Sequence, residues 1–226
     1  MHTIGTEQLT ENFKQISMSV HYAFCSAVEG NFAEFGTATG GTAECFALAM
    51  SYFGKEYFYS ERAHKMPPRK LFLFDSFVGL PASSTEVDRT SPHVSQGVWR
   101  AGALRGLTPQ QLLDKTSVHL PKDDIKIFEG WFSDSMPTVP EGEKFAVVHI
   151  DCDLYESSIQ VLDWLFAENR LSDGAVLLFD DWNCNRASPD FGERRAWREI
   201  VEKYKPNFSD CGDYSITGHK IIVHGL

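Results

Sequence analysis

No apolar run in this chain of 226 residues approaches the roughly 18 residues that a membrane-spanning helix needs. Positive charge is also in short supply: 21 Lys and Arg stand against 31 Asp and Glu, a formal net charge of −10. Affinity for nucleic acid rests on neutralising phosphates, so a polyanionic partner is not expected. The one basic stretch, ERRAWR at 193–198, is too short to reverse that balance. Cysteine is scarce and badly spaced for cross-linking. The five (Cys25, Cys45, Cys152, Cys184 and Cys211) are odd in number and never form C-x-x-C. This spacing argues against a disulfide framework and a structural zinc site, and the cysteines read mostly as small buried hydrophobes in a reducing compartment. The polar start, MHTIGTEQLTENFKQ, has no basic-then-apolar layout of a secretion signal, so the expected location is cytoplasmic. There is no internal repeat, low-complexity tract or long linker. One domain over 1–226 is therefore expected, with a helical segment at 1–30 and a lid inserted at 82–106.

Hydrophobic residues make up 42% and charged residues 23%, as in an ordinary folded domain with a sizeable core. Short apolar runs alternate with helical stretches, which predicts an α/β fold with a mostly parallel sheet. Helical spacing covers about 8–28, through Phe13, Ile16, Val20, Ala23, Phe24 and Ala27. Strands are expected at 31–35, at 70–75 (bounded by Pro67-Pro68 and the turn at 79–81), and at 124–129, 145–150 and 174–179. A helix with Thr42 as its cap follows the first strand, with Phe46, Met50 and Phe53 on its apolar face. Thr108-Pro109 opens another in the preferred cap-then-proline order. Further helices are expected near 156–169 and 191–204, and residues 213–225 read as a hairpin joined at Thr217-Gly218. Residues 82–106 are rich in Ser, Thr, Gly and Pro without a period. A loop of that length at a strand's carboxyl end reads as a lid.

In open parallel sheets, ligands bind outside the carboxyl ends of the strands. The polar clusters here fall at such ends: EFGTATGG at 34–41, Asp75, Glu129-Gly130, Asp151 and Asp180-Asp181. Glycines in the first allow a sharp turn and close approach to a ligand, and the helix that follows favours negative groups. The motif is not G-x-G-x-x-G, and an ordinary turn gives the same letters. Asp75 is placed to accept hydrogen bonds from the hydroxyls of a ribose, although Asp is also a common turn residue. Asp151 and Asp153, two apart in extended chain, are expected to point the same way. With Asp180 and Asp181 they would repel strongly unless a cation lay among them. Oxygen ligands suit Mg²⁺, Mn²⁺ or Ca²⁺. His149 on the same strand is a candidate base, or a histidine hydrogen-bonded beneath the site. Trp131, Phe132 and Trp182 are candidate aromatic walls or core.

The segments FLFDSFVGLP at 72–81, FEGWFSDSMP at 128–137, HIDCDLYESS at 149–158, DDW at 180–182 and GERRAW at 192–197 resemble the macrocin O-methyltransferase family. The likeness runs from about Asn31 to the carboxyl terminus; residues 1–28 and 82–106 match poorly. It implies a class I methyltransferase fold of seven strands with a terminal hairpin, binding S-adenosylmethionine, with Mg²⁺ held by Asp151, Asp180 and Asp181. It implies cofactor contacts at Glu34, Gly36, Thr37, Asp75, Ser76, Gly130, Trp131 and Asp151, with Asp75 on the ribose. The first loop departs from the family's usual G-x-G-x-G. Members methylate sugar hydroxyls of natural products, so a small-molecule acceptor, expected to be a vicinal diol of a sugar, and a homodimer or higher assembly follow. Metal coordination lowers the pKa of a hydroxyl and fixes it, and Asp153, Asp181 and His149 are the candidate catalytic groups. Three rivals share part of this pattern: a catechol or phenol O-methyltransferase, a D-x-D glycosyltransferase built on Asp151 and Asp153, and a non-catalytic binding domain.

Overall fold

The computed structural model describes residues 2–57 and 68–225, so Pro67 of the expected strand boundary lies outside the described residues. A seven-stranded sheet runs in the order β3-β2-β1-β4-β5-β7-β6. β1 (Asn31–Phe35), β2 (Leu71–Asp75), β3 (Ile125–Glu129), β4 (Phe145–Ile150) and β5 (Leu171–Phe179) are parallel. β7 (His219–His224) is antiparallel to β5 and to β6 (Asn207–Asp213). The expected layout, a mostly parallel sheet closed by a reversed hairpin, is therefore present.

β1 and β4 are buried at every residue, as strands covered on both faces must be. One face carries α1 (His2–Cys25), α2 (Gly41–Tyr57) and α5 (Pro109–Thr116), packed through Ile16, Val20, Phe46, Met50 and Leu112 onto Phe32, Leu73, Val147 and Leu178. The other carries α7 (Tyr155–Ala167) and α8 (Gly192–Tyr204), whose Val161, Leu165, Trp197 and Ile200 meet Phe35, Phe74, Ile150 and Phe179. Each such side chain removed from water contributes about 1.5–3 kcal/mol. The period of two along β1 and β4 sends Ala33, Phe35, Val148 and Ile150 to the α7–α8 face. It leaves Glu34 and His149, register partners, for the α1–α2 face.

Several boundaries differ from expectation for identifiable reasons. α1 begins near residue 2 and ends at Cys25, where Ala27 takes a left-handed φ of 53°. α2 begins at Gly41, so Thr42 lies inside the first turn and is not the cap. α5 starts as read, with a full capping box: Thr108 accepts the Gln111 N–H and the Gln111 side chain accepts the Thr108 N–H. The first strand of the hairpin is Asn207–Asp213, well before the expected start at 213. It is a polar, mostly exposed edge strand held by backbone bonds to β7, and it carries no hydrophobic pattern. The segment 82–106 contains α3 (Glu86–Thr90) and α4 (Pro92–Ser95), and the short α6 (Phe132–Ser135) follows β3. Among the described residues no helix is long and apolar enough to cross a membrane.

Candidate active site

The carboxyl ends of β1, β2, β4 and β5 meet in one crevice, and the glycine turn sets its floor. Gly36 follows β1 with a φ of +89°, and a Cβ there would lie 1.9 Å from the Asp151 carbonyl oxygen. No residue with a side chain fits that contact. The next residues are braced by Asp75: its Oδ2 accepts the Thr37 N–H at 2.7 Å, the Thr37 hydroxyl at 3.0 Å and the Ala38 N–H at 3.0 Å. Its Oδ1 accepts the Phe77 N–H at 2.7 Å. On the far side the Leu107 N–H reaches the Ala38 carbonyl at 2.9 Å, and a Cβ on Gly106 would sit 1.8 Å from the same oxygen. The turn is thus pinned from both β2 and the end of the 82–106 segment.

Beside it, oxygens of Asp151, Asp153 and Asp181 lie within 4.8 Å of one another. β4 ends at Ile150, and Asp153 bends into the left-handed region with φ 58°. That bend, and not extended chain, brings its carboxylate back to Asp151. Burial pushes all three carboxyls upward. Asp180 and Asp181 then act on Asp151, and Asp181 and Asp180 on Asp153. Asp181 is pushed to about 7 by burial and then by Asp180, against the hydrogen bond from Cys184. Asp181 Oδ2 is buried with no hydrogen-bond partner among the described residues. Glu193, buried at the start of α8, accepts the Asp181 N–H at 3.0 Å. Burial, with Asp181 next, raises its pKa well above the usual range.

Asp180 lies at the edge of this group. Its Oδ1 accepts Asn12 Nδ2 at 2.5 Å and is 3.8 Å from His149 Nε2. His149 is wholly buried on the α1–α2 side, with Nδ1 3.1 Å from Glu34 Oε1. Burial opposes a charge on this ring, but Asp180 and Glu34 overcome it and raise its pKa. A file of Asn12, Asp180, His149 and Glu34 therefore runs from α1 under the crevice floor.

The pocket has a volume of about 540 Å³. Of the residues singled out from the sequence, Gly36, Asp75, Ser76, Gly130, Trp131, Phe132, Asp151, Asp153, Asp180 and Asp181 line it. Glu34, Thr37 and His149 do not, because strand alternation and the Asp75 bonds turn them beneath the floor. Trp182 is core: it stacks on His219 at 4.4 Å and lies under Arg194. Sequence reasoning missed Asn12, Trp99 and Gln160, which lie in no motif, and did not single out Ser157 within HIDCDLYESS or Glu193 within GERRAW.

The chain matches the family described as Macrocin-O-methyltransferase (TylF) over residues 2–205. It is 30% identical over 182 residues to the 8-demethyl-8-(2,3-dimethoxy-alpha-L-rhamnosyl)-tetracenomycin-C 4'-O-methyltransferase of Streptomyces olivaceus, covering 77% of this chain and 62% of that protein. It is 27% identical over 215 residues to the mycinamicin III 3''-O-methyltransferase of Micromonospora griseorubida, covering 89% of this chain and 74% of that one. The O-methyltransferase NovP superposes with a TM-score of 0.72 at 21% identity, over 95% of this chain and 80% of that chain. A calicheamicin methyltransferase does so with 0.71 at 20%, over 98% and 80%. The fold is therefore that of class I O-methyltransferases.

Proposed function

Since the chain belongs to the macrocin-O-methyltransferase family, we propose that it methylates a hydroxyl of a sugar carried by a small natural product, using S-adenosylmethionine and a divalent cation, Mg²⁺ by preference. The observation that carries this reading is the trio Asp151, Asp153 and Asp181 on the pocket floor, with the unpartnered Asp181 Oδ2 among them. An all-oxygen set of raised-pKa carboxylates suits a hard divalent cation. A relative named for methylating a rhamnosyl-bearing tetracenomycin supports a sugar acceptor.

In this reading Asp151, Asp181 and Asp180 would hold the cation, Asp180 having one carboxylate oxygen outside its bond with Asn12. Such a cation lowers the pKa of a bound hydroxyl, and two neighbouring hydroxyls of a diol suit it best. Asp153 takes the hydroxyl proton, because its carboxylate lies in the same group as those of Asp151 and Asp181. His149 acts from beneath. Held between Glu34 and Asp180, its positive charge offsets part of the repulsion among the carboxylates.

S-adenosylmethionine would bring an electrophilic methyl on a sulfonium, so the protein's task is to align it with the acceptor oxygen. The Gly36 turn would admit the amino-acid end, with Thr37 shaping it. Ser76 and Asp75 Oδ1, which keeps accepting capacity, would meet the ribose, and Gly130 and Trp131 would flank the base. The test is titration calorimetry and turnover with and without EDTA. The expected result is S-adenosylhomocysteine binding that survives Asp151→Ala within about threefold, while Mn²⁺ affinity falls at least tenfold, as metal-shell losses do. Binding of nucleotide sugars in its place, or full turnover without metal, would sink the reading.

A further inference from the structure

We propose that Trp99 is the platform on which the acceptor's sugar ring stacks, and that it thereby selects and positions the acceptor; this rests on the sugar O-methyltransferase reading above. Trp99 comes from the 82–106 segment and lines the pocket, yet is only 5% exposed. Besides backbone bonds that tie Gly102 and Ala103 to Leu80 after β2, the segment is fastened just beyond each acidic motif. Asp88, itself 1% exposed, accepts the N–H groups of Tyr155 at 2.8 Å and Glu156 at 3.1 Å, directly after Asp153. The His93 N–H donates to Asn185 Oδ1 at 3.0 Å, and the Asn185 N–H donates to His93 Nδ1 at 3.1 Å, four residues after Asp181.

The His93 ring in turn stacks on Trp99, centroids 4.4 Å apart and 25° between planes, and the Trp99 N–H reaches the His93 carbonyl at 3.2 Å. Asn185, Arg186 and Ala187 are successively left-handed, at φ 54°, 63° and 54°. A run of that kind persists only where the surroundings impose it. Trp99 is therefore tied through His93 to Asn185, four residues past Asp181, and lines the pocket that the carboxylates share. Trp131 sits past β3, at the opposite end of the parallel strands in the sheet order.

The chemistry of a pyranose matches this arrangement. One face of the ring presents C–H bonds, which pack on the negative face of an indole, while hydroxyls project from its edge toward oxygen ligands. With one indole face backed by His93, Trp99 is a fixed apolar side chain lining the same pocket as Asp151, Asp153 and Asp181. A sugar can satisfy both at once.

The test uses the protein loaded with S-adenosylhomocysteine and Mg²⁺, and methyl α-L-rhamnopyranoside as the probe, followed by saturation-transfer NMR. Trp99→Ala and Trp99→Leu are expected to weaken the probe about tenfold, the worth of one good aromatic contact, while Trp99→Phe stays within about threefold. S-adenosylhomocysteine affinity, by calorimetry, is unchanged in all three. Leu preserves apolar bulk, so its loss of probe separates stacking from filling. Wild-type affinity for the probe in Trp99→Leu, or loss of S-adenosylhomocysteine in its place, overturns the assignment of Trp99. A wild-type protein that binds S-adenosylhomocysteine but not the probe overturns the sugar reading itself, and this proposal with it.

Discussion

Replacing Asp88 by Ala should unfasten the 82–106 segment without unfolding the sheet. Asp88 is buried and also accepts the Thr85 hydroxyl at 2.9 Å. Its two oxygens cap α7, whose own N-cap, Leu154, supplies no side-chain bond. Loss of a cap costs about 1 kcal/mol, and each buried N–H left without a partner about 1–3 kcal/mol. Water entering at the edge recovers part of this, so a net cost of about 3 kcal/mol is expected. That is roughly a hundredfold rise in local opening. Native-state hydrogen exchange should show peptides spanning 85–99 losing about a hundredfold in protection, while those of β1 and β4 hold theirs. Equal losses everywhere, or none at 85–99, would show that Asp88 is not the fastening. Asp88→Asn keeps one acceptor oxygen and should fall between. Burial raises the Asp88 pKa. The folded state therefore binds its proton more readily than the unfolded chain, and the contribution of Asp88 declines as pH rises from about 4 through the folded pKa. Asn should remove that slope.

Gly36→Ala should abolish S-adenosylhomocysteine binding in calorimetry, because a methyl 1.9 Å from the Asp151 carbonyl forces the turn off the pocket floor. Retained wild-type affinity would disprove the close approach. Asp163 is held below its ordinary pKa, burial notwithstanding, by hydrogen bonds from Lys203 and Tyr204 that tie α7 to α8. The stability from this group is present above the unfolded pKa of about 4 and is lost as pH falls through the lower folded value. Asp163→Asn should therefore lower Tm near pH 7 by no more than about 3 °C, since the pair is largely exposed, and the difference should vanish near pH 2. A gap that widens on acidification would contradict the sign.

Elements with strong apolar runs were legible from the sequence: Asn31–Phe35, Leu71–Asp75 and Phe145–Ile150 are strands within a residue of expectation. β6 was not, because an exposed edge strand is stabilised by backbone pairing and needs no hydrophobic pattern. The short helices of 82–106 were hidden for a related reason. Asp88, His93 and Asn185 stabilise them through contacts across 67 to 92 positions of sequence, which no local period records.

The acidic motifs were plain in the sequence because strand ends in a parallel sheet converge on one edge whatever the details of packing. How four aspartates divide was a tertiary matter. A left-handed bend at Asp153 places it with Asp151 and Asp181, and Asn12 from α1 draws one oxygen of Asp180 aside toward His149. Composition and pattern settled the layers and the edge where chemistry collects. Which oxygen faces the pocket depended on side chains far away in the chain, because only folding sets them within hydrogen-bonding reach.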